Sequence, residues 1–157
     1  MVIGTGYSIR GMRAKYKGLK AAARSYEIEC RLSAAECVKR MKYCIPDCFC
    51  PPVDQGSYLG HEAISILNSS DHDIVAYMTL YFEDREKLEG FRLPVPAERT
   101  IHFHTYDLKN GQDICVPRGV GYAAVIECDE PVVVQYTRVD TTQSALGLAT
   151  TMAVAMD

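Results

Sequence analysis

The chain has 157 residues, of which 48% are hydrophobic and 24% charged, the composition of a folded protein of about one domain. No run approaches the roughly 20 apolar residues that a membrane-spanning helix needs, and the charged N-terminal region lacks the apolar stretch of a secretory signal. The seven cysteines therefore predict reduced thiols in a cytoplasmic protein. The net charge of −3 favours no particular class of partner.

Charge divides the chain into a basic arm and an acidic remainder. Residues 1–42 contain 10 Lys and Arg against 3 Asp and Glu, whereas residues 43–157 contain 7 against 17. All seven prolines also fall in the second segment. We therefore predict an N-terminal extension over residues 1–42 and one folded domain over residues 43–157.

The basic arm is rich in good helix formers between Lys15 and Arg24, interrupted by Gly18, which predicts weak helicity. In one interpretation its cations contact nucleic-acid phosphates: Arg10, Arg13, Lys15, Lys17, Lys20 and Arg24. Two alternatives stay open. The arm is a solvated, partly disordered tail, or Met41 is the true start and the arm is a translation artefact.

The acidic segment consists of short β-branched and apolar runs separated by turn residues. These runs predict strands at 61–67, 73–82, 91–95, 99–104, 121–128 and 131–139, with a shorter run at 114–116. The last apolar segment, 145–155, is compatible with helix or strand. Because the connections are too short for helical crossovers, we predict an all-β fold, an antiparallel β-sandwich. Pro94 cannot donate to a ladder and predicts an edge strand.

Three cysteines cluster just before the strands. Cys44, Cys48 and Cys50 form a C-x3-C-x-C pattern, and closely spaced thiolates can hold zinc. The spacing matches no standard zinc knuckle, and neighbouring prolines stiffen the segment. We therefore predict free thiols, no metal and no cofactor.

Two histidines lie two residues apart in a predicted strand. His102 and His104 must point to the same face, where paired imidazoles occur in metal sites and acid–base pairs. The alternation with Ile101 and Phe103 favours the simpler interpretation that both imidazoles lie on the solvent face.

Six further polar residues stand among apolar ones near predicted strand ends. Arg138 and Asp140 share a face and could pair with each other or clamp a polar ligand. The tentative ligand-binding set is His61, Glu62, Arg99, Arg138, Asp140 and Gln143. An alternative is that these residues join strand ends through buried hydrogen bonds. No catalytic motif is present, which predicts a protein that is not an enzyme.

Several blocks of residues 43–157, in order, resemble the sensory rhodopsin transducer family, named for the soluble partner of a cyanobacterial photoreceptor. The blocks are Gly60-His61-Glu62, Ile66-Leu67-Asn68, the YFEDRE run, the run from Arg92 to Thr100 and the run from Gln135 to Asp140. The resemblance implies a jelly-roll-type sandwich, a homotetramer and a non-enzymatic signalling role. It also implies a membrane photoreceptor or other protein partner, a small or sugar-like ligand, and a link to DNA in one branch.

The chain departs from that family pattern at several positions. Tyr43 replaces a tryptophan, Tyr136 replaces a histidine, and Glu98 and Thr142 replace basic residues. The loss of two basic groups weakens any anion site on this part of the domain. The prediction is therefore a cytoplasmic, homo-oligomeric binding and signalling module, acting through protein contacts or a small ligand. The alternative is a DNA-binding regulator that uses the basic arm.

Overall fold

The computed structural model describes residues 40–55 and 57–156, and this part of the chain is all β. A single 3-10 turn covers Thr105–Asp107. The strands are β1 (Met41–Phe49), β2 (His61–Asn68), β3 (Ile74–Tyr81), β4 (Leu88–Val95), β5 (Arg99–His104), β6 (Gly121–Cys128), β7 (Val133–Asp140), β8 (Gly147–Met152) and β9 (Val154–Met156). Within the described residues, no helix has the length and apolar character to cross a bilayer.

The strands form two antiparallel sheets. The first sheet has the order β4-β3-β6-β1-β9, and the second has the order β5-β2-β7-β8. The two sheets pack as a sandwich, which confirms the predicted fold class. β4, which contains Pro94, is an edge strand of the first sheet, as its missing backbone donor predicts.

The core lies between the two sheets and follows the alternation of each strand. In β3, Ile74, Ala76, Met78 and Leu80 are buried while the residues between them are partly or fully exposed. In β5, Ile101 and Phe103 pack against the core, so His102 and His104 lie on the outer face of the sheet, where His102 is exposed and His104 is partly buried. Strict alternation fixes the register, because a slip by one residue would turn every apolar side chain into water.

Three boundaries differ from the prediction. Residues 41–49, where only a cysteine cluster was recognised, form β1, with a bulge between Ile45 and Cys48. The bulge accommodates Pro46, which cannot donate to the ladder. β4 begins at Leu88, inside the predicted connection, because Leu88 packs against the core. The run at 114–116 makes only an isolated bridge, between Lys109 and Cys115.

The C-terminal segment is strand, and it passes from one sheet to the other. β8 pairs with β7 at the edge of the second sheet, and β9 pairs with β1 at the edge of the first. Ala153 lies between them and donates its N–H to the Val134 carbonyl at 2.9 Å. The segment therefore closes one side of the sandwich.

Residues 1–39, which make up nearly all of the basic arm, lie outside the described residues. Its six candidate phosphate contacts, from Arg10 to Arg24, and its weak helicity therefore stay predictions.

Candidate binding face

The outer face of the second sheet collects three of the four histidines of the chain. We call this surface the histidine face. Its outward residues are His61, Ala63, Ser65 and Leu67 on β2, Thr100, His102 and His104 on β5, and Val133, Gln135 and Thr137 on β7. The inward residues of β2, such as Glu62 and Ile64, are buried. Strand alternation and register alone bring these polar groups together.

A groove crosses the middle of the histidine face. Ser65 and His102 are directly opposite on neighbouring strands, and the Ser65 hydroxyl lies 2.7 Å from His102 Nδ1. The groove has a volume of about 320 Å³ and is lined by Ser65, Leu67, Thr100, His102, Val133, Gln135 and Met152. Apolar walls around a few polar groups are typical of a site for a small uncharged molecule.

The other two histidines of this face meet at one end of the sheet. The rings of His61 and His104 have centroids 4.9 Å apart at an interplanar angle of 70°. Tyr106 stacks on His104 with centroids 5.3 Å apart. His61 Nδ1 lies 3.0 Å from the Leu59 carbonyl oxygen. Both imidazoles are therefore held in defined orientations.

Glu62, a predicted ligand residue, is instead the centre of a buried network. Its side chain is 0% exposed. One carboxylate oxygen accepts from the Phe49 N–H at 2.6 Å and from the Tyr136 hydroxyl. The other accepts from Tyr122 at 2.7 Å and from Thr105 at 3.3 Å. With four donors, the buried carboxylate is satisfied without a cation, and it joins β1, β2, β6, β7 and the 3-10 turn.

The groups around Glu62 are poor acids. Burial, and then the nearby Glu62 carboxylate, raises the pKa of Tyr122 well above its ordinary range. Burial, followed by the hydrogen bond to Glu62, raises the pKa of Tyr136 likewise. Burial also raises the pKa of the Cys48 thiol. Because a thiol reacts as its thiolate, Cys48 is placed as a packing residue rather than a nucleophile.

Arg138, Asp140 and Gln143 lie at the same end of the sheet as His61. Arg138 is opposite Glu62 in the ladder, yet the Glu62 carboxylate is already fully engaged. Asp140 accepts from the backbone N–H of Thr142 at 2.8 Å and from its hydroxyl at 2.7 Å, and these bonds lower the pKa of Asp140. Among the described residues, Arg138 and Asp140 form no ion pair with each other.

Arg99 lies at the opposite end of the second sheet. It pairs with Asn68, the last residue of β2, whereas His61 is the first. Its guanidinium is exposed and donates to the Glu98 carbonyl oxygen at 2.8 Å. The six predicted residues therefore do not converge on one site. Ser65, Gln135 and Tyr106, which the sequence did not single out, become recognisable only once the strand register is known.

The loop before β2 is fastened by a second polar cluster that the sequence did not indicate. Asp54 accepts from the Gly60 N–H at 2.7 Å, from the Thr141 hydroxyl at 3.1 Å and from Arg118 at 3.2 Å. Desolvation opposes ionisation of Asp54, but the Gly60 N–H and the Arg118 guanidinium outweigh it and lower the pKa of Asp54. Arg118 is 64 residues away along the chain, so no local pattern reveals this contact.

An acidic recess lies at the far end of the sandwich from the Glu62 network. It has a volume of about 310 Å³ and is lined by His72, Asp73, Ile74, Val75, Tyr77, Cys128, Asp129 and Glu130. Arg40 contacts two of the lining residues, with its Nε 2.8 Å from Asp129 and its guanidinium 4.9 Å from the centre of the Tyr77 ring. His72 lies between Asp71 and Glu130.

The predicted cysteine cluster does not converge. Cys44 is half-buried on the outer side of β1, beside the Met156 sulfur at 3.3 Å, whereas Cys48 and Cys50 are buried. In the described part of the chain, no group of three or more His, Cys, Asp or Glu side chains is placed to hold a metal ion.

The domain matches known proteins in sequence and structure. The family model described as "Anabaena sensory rhodopsin transducer" matches residues 38–155. The solved structure of the Anabaena sensory rhodopsin transducer is 35% identical, with a TM-score of 0.56, covering 64% of this chain and 89% of that one. The crystal structure of Thermotoga maritima 1070 is 24% identical, with a TM-score of 0.62, covering 72% and 91% of the two chains, a likeness of fold alone. No curated protein matches.

Proposed function

Because the chain belongs to the Anabaena sensory rhodopsin transducer family, we propose that it is a non-enzymatic signalling module that works through protein–protein contacts. We propose further that it acts in the cytoplasm as a homo-oligomer. The self-contact is made by the side of the sandwich that the C-terminal segment closes. The upstream partner in this proposal is another protein, with a membrane photoreceptor as one candidate by family.

The observation that carries the proposal is a charge-free stretch on an exposed edge. Residues 141–156 contain no Asp, Glu, Lys or Arg in a chain that is 24% charged. The apolar side chains in this stretch are nevertheless open to water: Leu146 is 56% exposed, Leu148 72%, Met152 52%, Val154 61% and Met156 54%. Leu148 and Met152 lie on the outer side of the second sheet, and Val154 and Met156 on the outer side of the first. So many exposed apolar side chains along one segment favour an interaction surface.

The backbone of the same segment supports contact between copies. Among the described residues β8 and β9 are both edge strands, and each presents one row of backbone N–H and C=O groups that pair with no other described strand. Proteins ordinarily protect such edges with charged side chains, prolines or a covering element, and β8 and β9 have neither charge nor proline. An apolar edge with unpaired backbone groups can pair with another strand edge of the same character. A second copy supplies the same apolar and hydrogen-bonding surface, which favours self-association.

The oligomer proposal is tested by light scattering after size-exclusion chromatography. We expect a mass that is a multiple of 17.5 kDa for the unaltered protein. Leu148→Glu and Val154→Glu each place a charge on the charge-free edge and should shift the mass toward one chain. The control is Ile114→Glu, at a 40% exposed loop residue of the same domain, which should leave the mass unchanged. A single-chain mass for the unaltered protein contradicts the proposal.

A second candidate function is recognition of a small uncharged ligand, such as a sugar, in the groove of the histidine face. It is favoured by the Ser65–His102 pair and the Gln135 amide, set among Leu67 and Val133. A thermal-shift screen against sugars and nucleosides tests it. Ligand at about 100 times its Kd stabilises the fold by about 2.7 kcal/mol. Gln135→Ala should abolish a groove-dependent shift, whereas Gln143→Ala, in the exposed turn after β7, should not.

Among the described residues nothing further supports the DNA-binding alternative, since residues 1–39 of the basic arm lie outside them. It predicts DNA affinity that falls steeply with salt and disappears when residues 1–40 are removed.

The variant Arg138→Ala distinguishes a structural role of Arg138 from a ligand-binding role. A lower Tm without ligand indicates a structural role, whereas loss of a ligand-dependent shift alone indicates a binding role.

A further inference from the structure

The tautomer of His61 is set by the backbone. A carbonyl oxygen only accepts, so the 3.0 Å contact between Nδ1 and the Leu59 carbonyl requires the proton on Nδ1. The lone pair of the neutral ring is then on Nε2. Histidines that bind metals very commonly donate their other ring N–H to a carbonyl or carboxylate in this way, which fixes the ring and makes it a better ligand.

His104 carries an unexplained polar atom. Its Nδ1 is buried and has no hydrogen-bond partner among the described residues. Buried polar atoms in folded proteins almost always have partners, and an exception indicates an absent water, ion or ligand. Stacking on Tyr106 holds the plane of this ring.

The spacing of the two rings suits a shared metal ion. Their centroids are 4.9 Å apart, at an interplanar angle of 70°. Two imidazoles bound to one tetrahedral ion, with N–metal bonds of about 2.0–2.1 Å, bring their ring centroids to about 5 Å. The distance between the two ring centroids is therefore close to that of two imidazoles bound to one ion.

From these three observations we propose that His61 and His104 are ligands of one divalent late transition-metal ion, of which Zn²⁺ is the representative. Imidazole nitrogen suits Zn²⁺, Cu²⁺ and Ni²⁺, whereas Mg²⁺ and Ca²⁺ prefer oxygen. Two protein ligands leave the remaining positions to water. The ion joins the start of β2 to the end of β5, on the same face as the groove.

The test is calorimetric titration of the full-length protein with Zn²⁺ after its accessible thiols have been alkylated, because exposed Cys115 and half-buried Cys44 would otherwise bind zinc. We expect one ion per chain. His61→Gln and His104→Gln should each weaken binding about tenfold or more, as losses around zinc sites do. His102→Gln is the matched control, from the same face and strand as His104, and should bind as the unaltered protein does. Mg²⁺ should not bind.

A second readout needs no variant. In the unaltered protein, Zn²⁺ should shift the NMR ring resonances of His61 and His104 in proportion to the fraction of the protein that has bound the ion. The ring resonances of His72 should stay unchanged. The proposal is overturned if Zn²⁺ does not bind at a definite stoichiometry, if all three histidine variants bind equally, or if the shifted resonances belong to His102 or His72.

Discussion

Glu62 shows how a single residue can look functional in sequence and be structural in the fold. A charged residue beside a histidine at a strand start suggests a ligand contact. In the fold, however, the Glu62 carboxylate accepts hydrogen bonds from four protein groups, on Phe49, Thr105, Tyr122 and Tyr136. Breaking one hydrogen bond of a buried charge leaves the charge less satisfied, so the cost exceeds that of an ordinary hydrogen bond.

We predict that Tyr122→Phe lowers the free energy of unfolding by about 1.5–3 kcal/mol, because it removes the 2.7 Å hydrogen bond to Glu62 without changing the packed ring. Urea unfolding followed by circular dichroism measures the change. Tyr81→Phe is the control, since Tyr81 is 45% exposed. Equal stability of the two variants would show that Glu62 does not depend on this donor.

At the scale of the elements, the connection between β1 and β2 is held by close contacts around Gly60. The loop from Cys50 to Gly60 is fastened by Asp54, and Gly60 lies where no side chain fits. A Cβ at Gly60 would be 2.8 Å from the Asp54 carboxylate oxygen and 2.9 Å from the Thr141 hydroxyl. The connection therefore requires glycine for a close approach.

We predict that Gly60→Ala destabilises the domain by about 1–3 kcal/mol, the usual cost of overpacking a filled site. Gly111→Ala is the matched control, because a Cβ there meets no atom within 4 Å. Thermal unfolding of both variants gives the comparison. If Gly60→Ala unfolds at the same temperature as Gly111→Ala, the atoms of Asp54 and Thr141 around Gly60 can move aside without a loss of stability.

Two turns at the other end of the sandwich are joined by a titratable contact. His72, in the β2–β3 connection, lies 3.0 Å from Asp71 and 3.5 Å from Glu130, in the β6–β7 connection. The hydrogen bond to Asp71, followed by the charge of Glu130, raises the pKa of His72. A raised pKa means that the folded state holds the proton more tightly than the unfolded state does.

The stabilisation by His72 is therefore complete below its ordinary pKa of about 6.5 and is lost as the pH rises through the higher folded value. We predict that the Tm of the unaltered protein, relative to that of His72→Gln, falls as the pH rises above about 6.5. The effect is small because the side chain is 54% exposed. A constant difference across this range would contradict the contact.

At the scale of the whole molecule, the fold was largely readable from sequence because the core strands alternate. The pattern of Ile74, Ala76, Met78 and Leu80 identifies the inner face of β3 without further information. β1 was missed because a proline and two cysteines, Cys44 and Cys48, interrupt its alternation. The site was not readable, since Ser65 and His102 are 37 residues apart and meet only through register.

The core also predicts which part of the chain is sufficient for folding. Its buried residues run from Tyr43 to Tyr136, and its partly buried ones from Met41 to Ala153. We predict that protein starting at Met41 unfolds cooperatively, with a Tm close to that of the full chain, because of the described contacts it loses only those of Arg40 with Asp129 and with the Tyr77 ring, at the surface of the domain. Calorimetry of both forms tests this. A non-cooperative transition in the shorter form would show that the core needs the arm.

The pairing of β9 with β1 has a consequence for chain connectivity. Lys42, next to the start of β1, lies opposite Met156, the last residue of β9. Both ends of the sandwich domain therefore meet at one rung of one ladder. A circular permutant that links residue 156 to residue 41 through a short glycine peptide, and opens the chain in the exposed connection at 83–87, would keep every strand pairing. The strand pairings of the domain therefore do not depend on which connection the chain termini occupy.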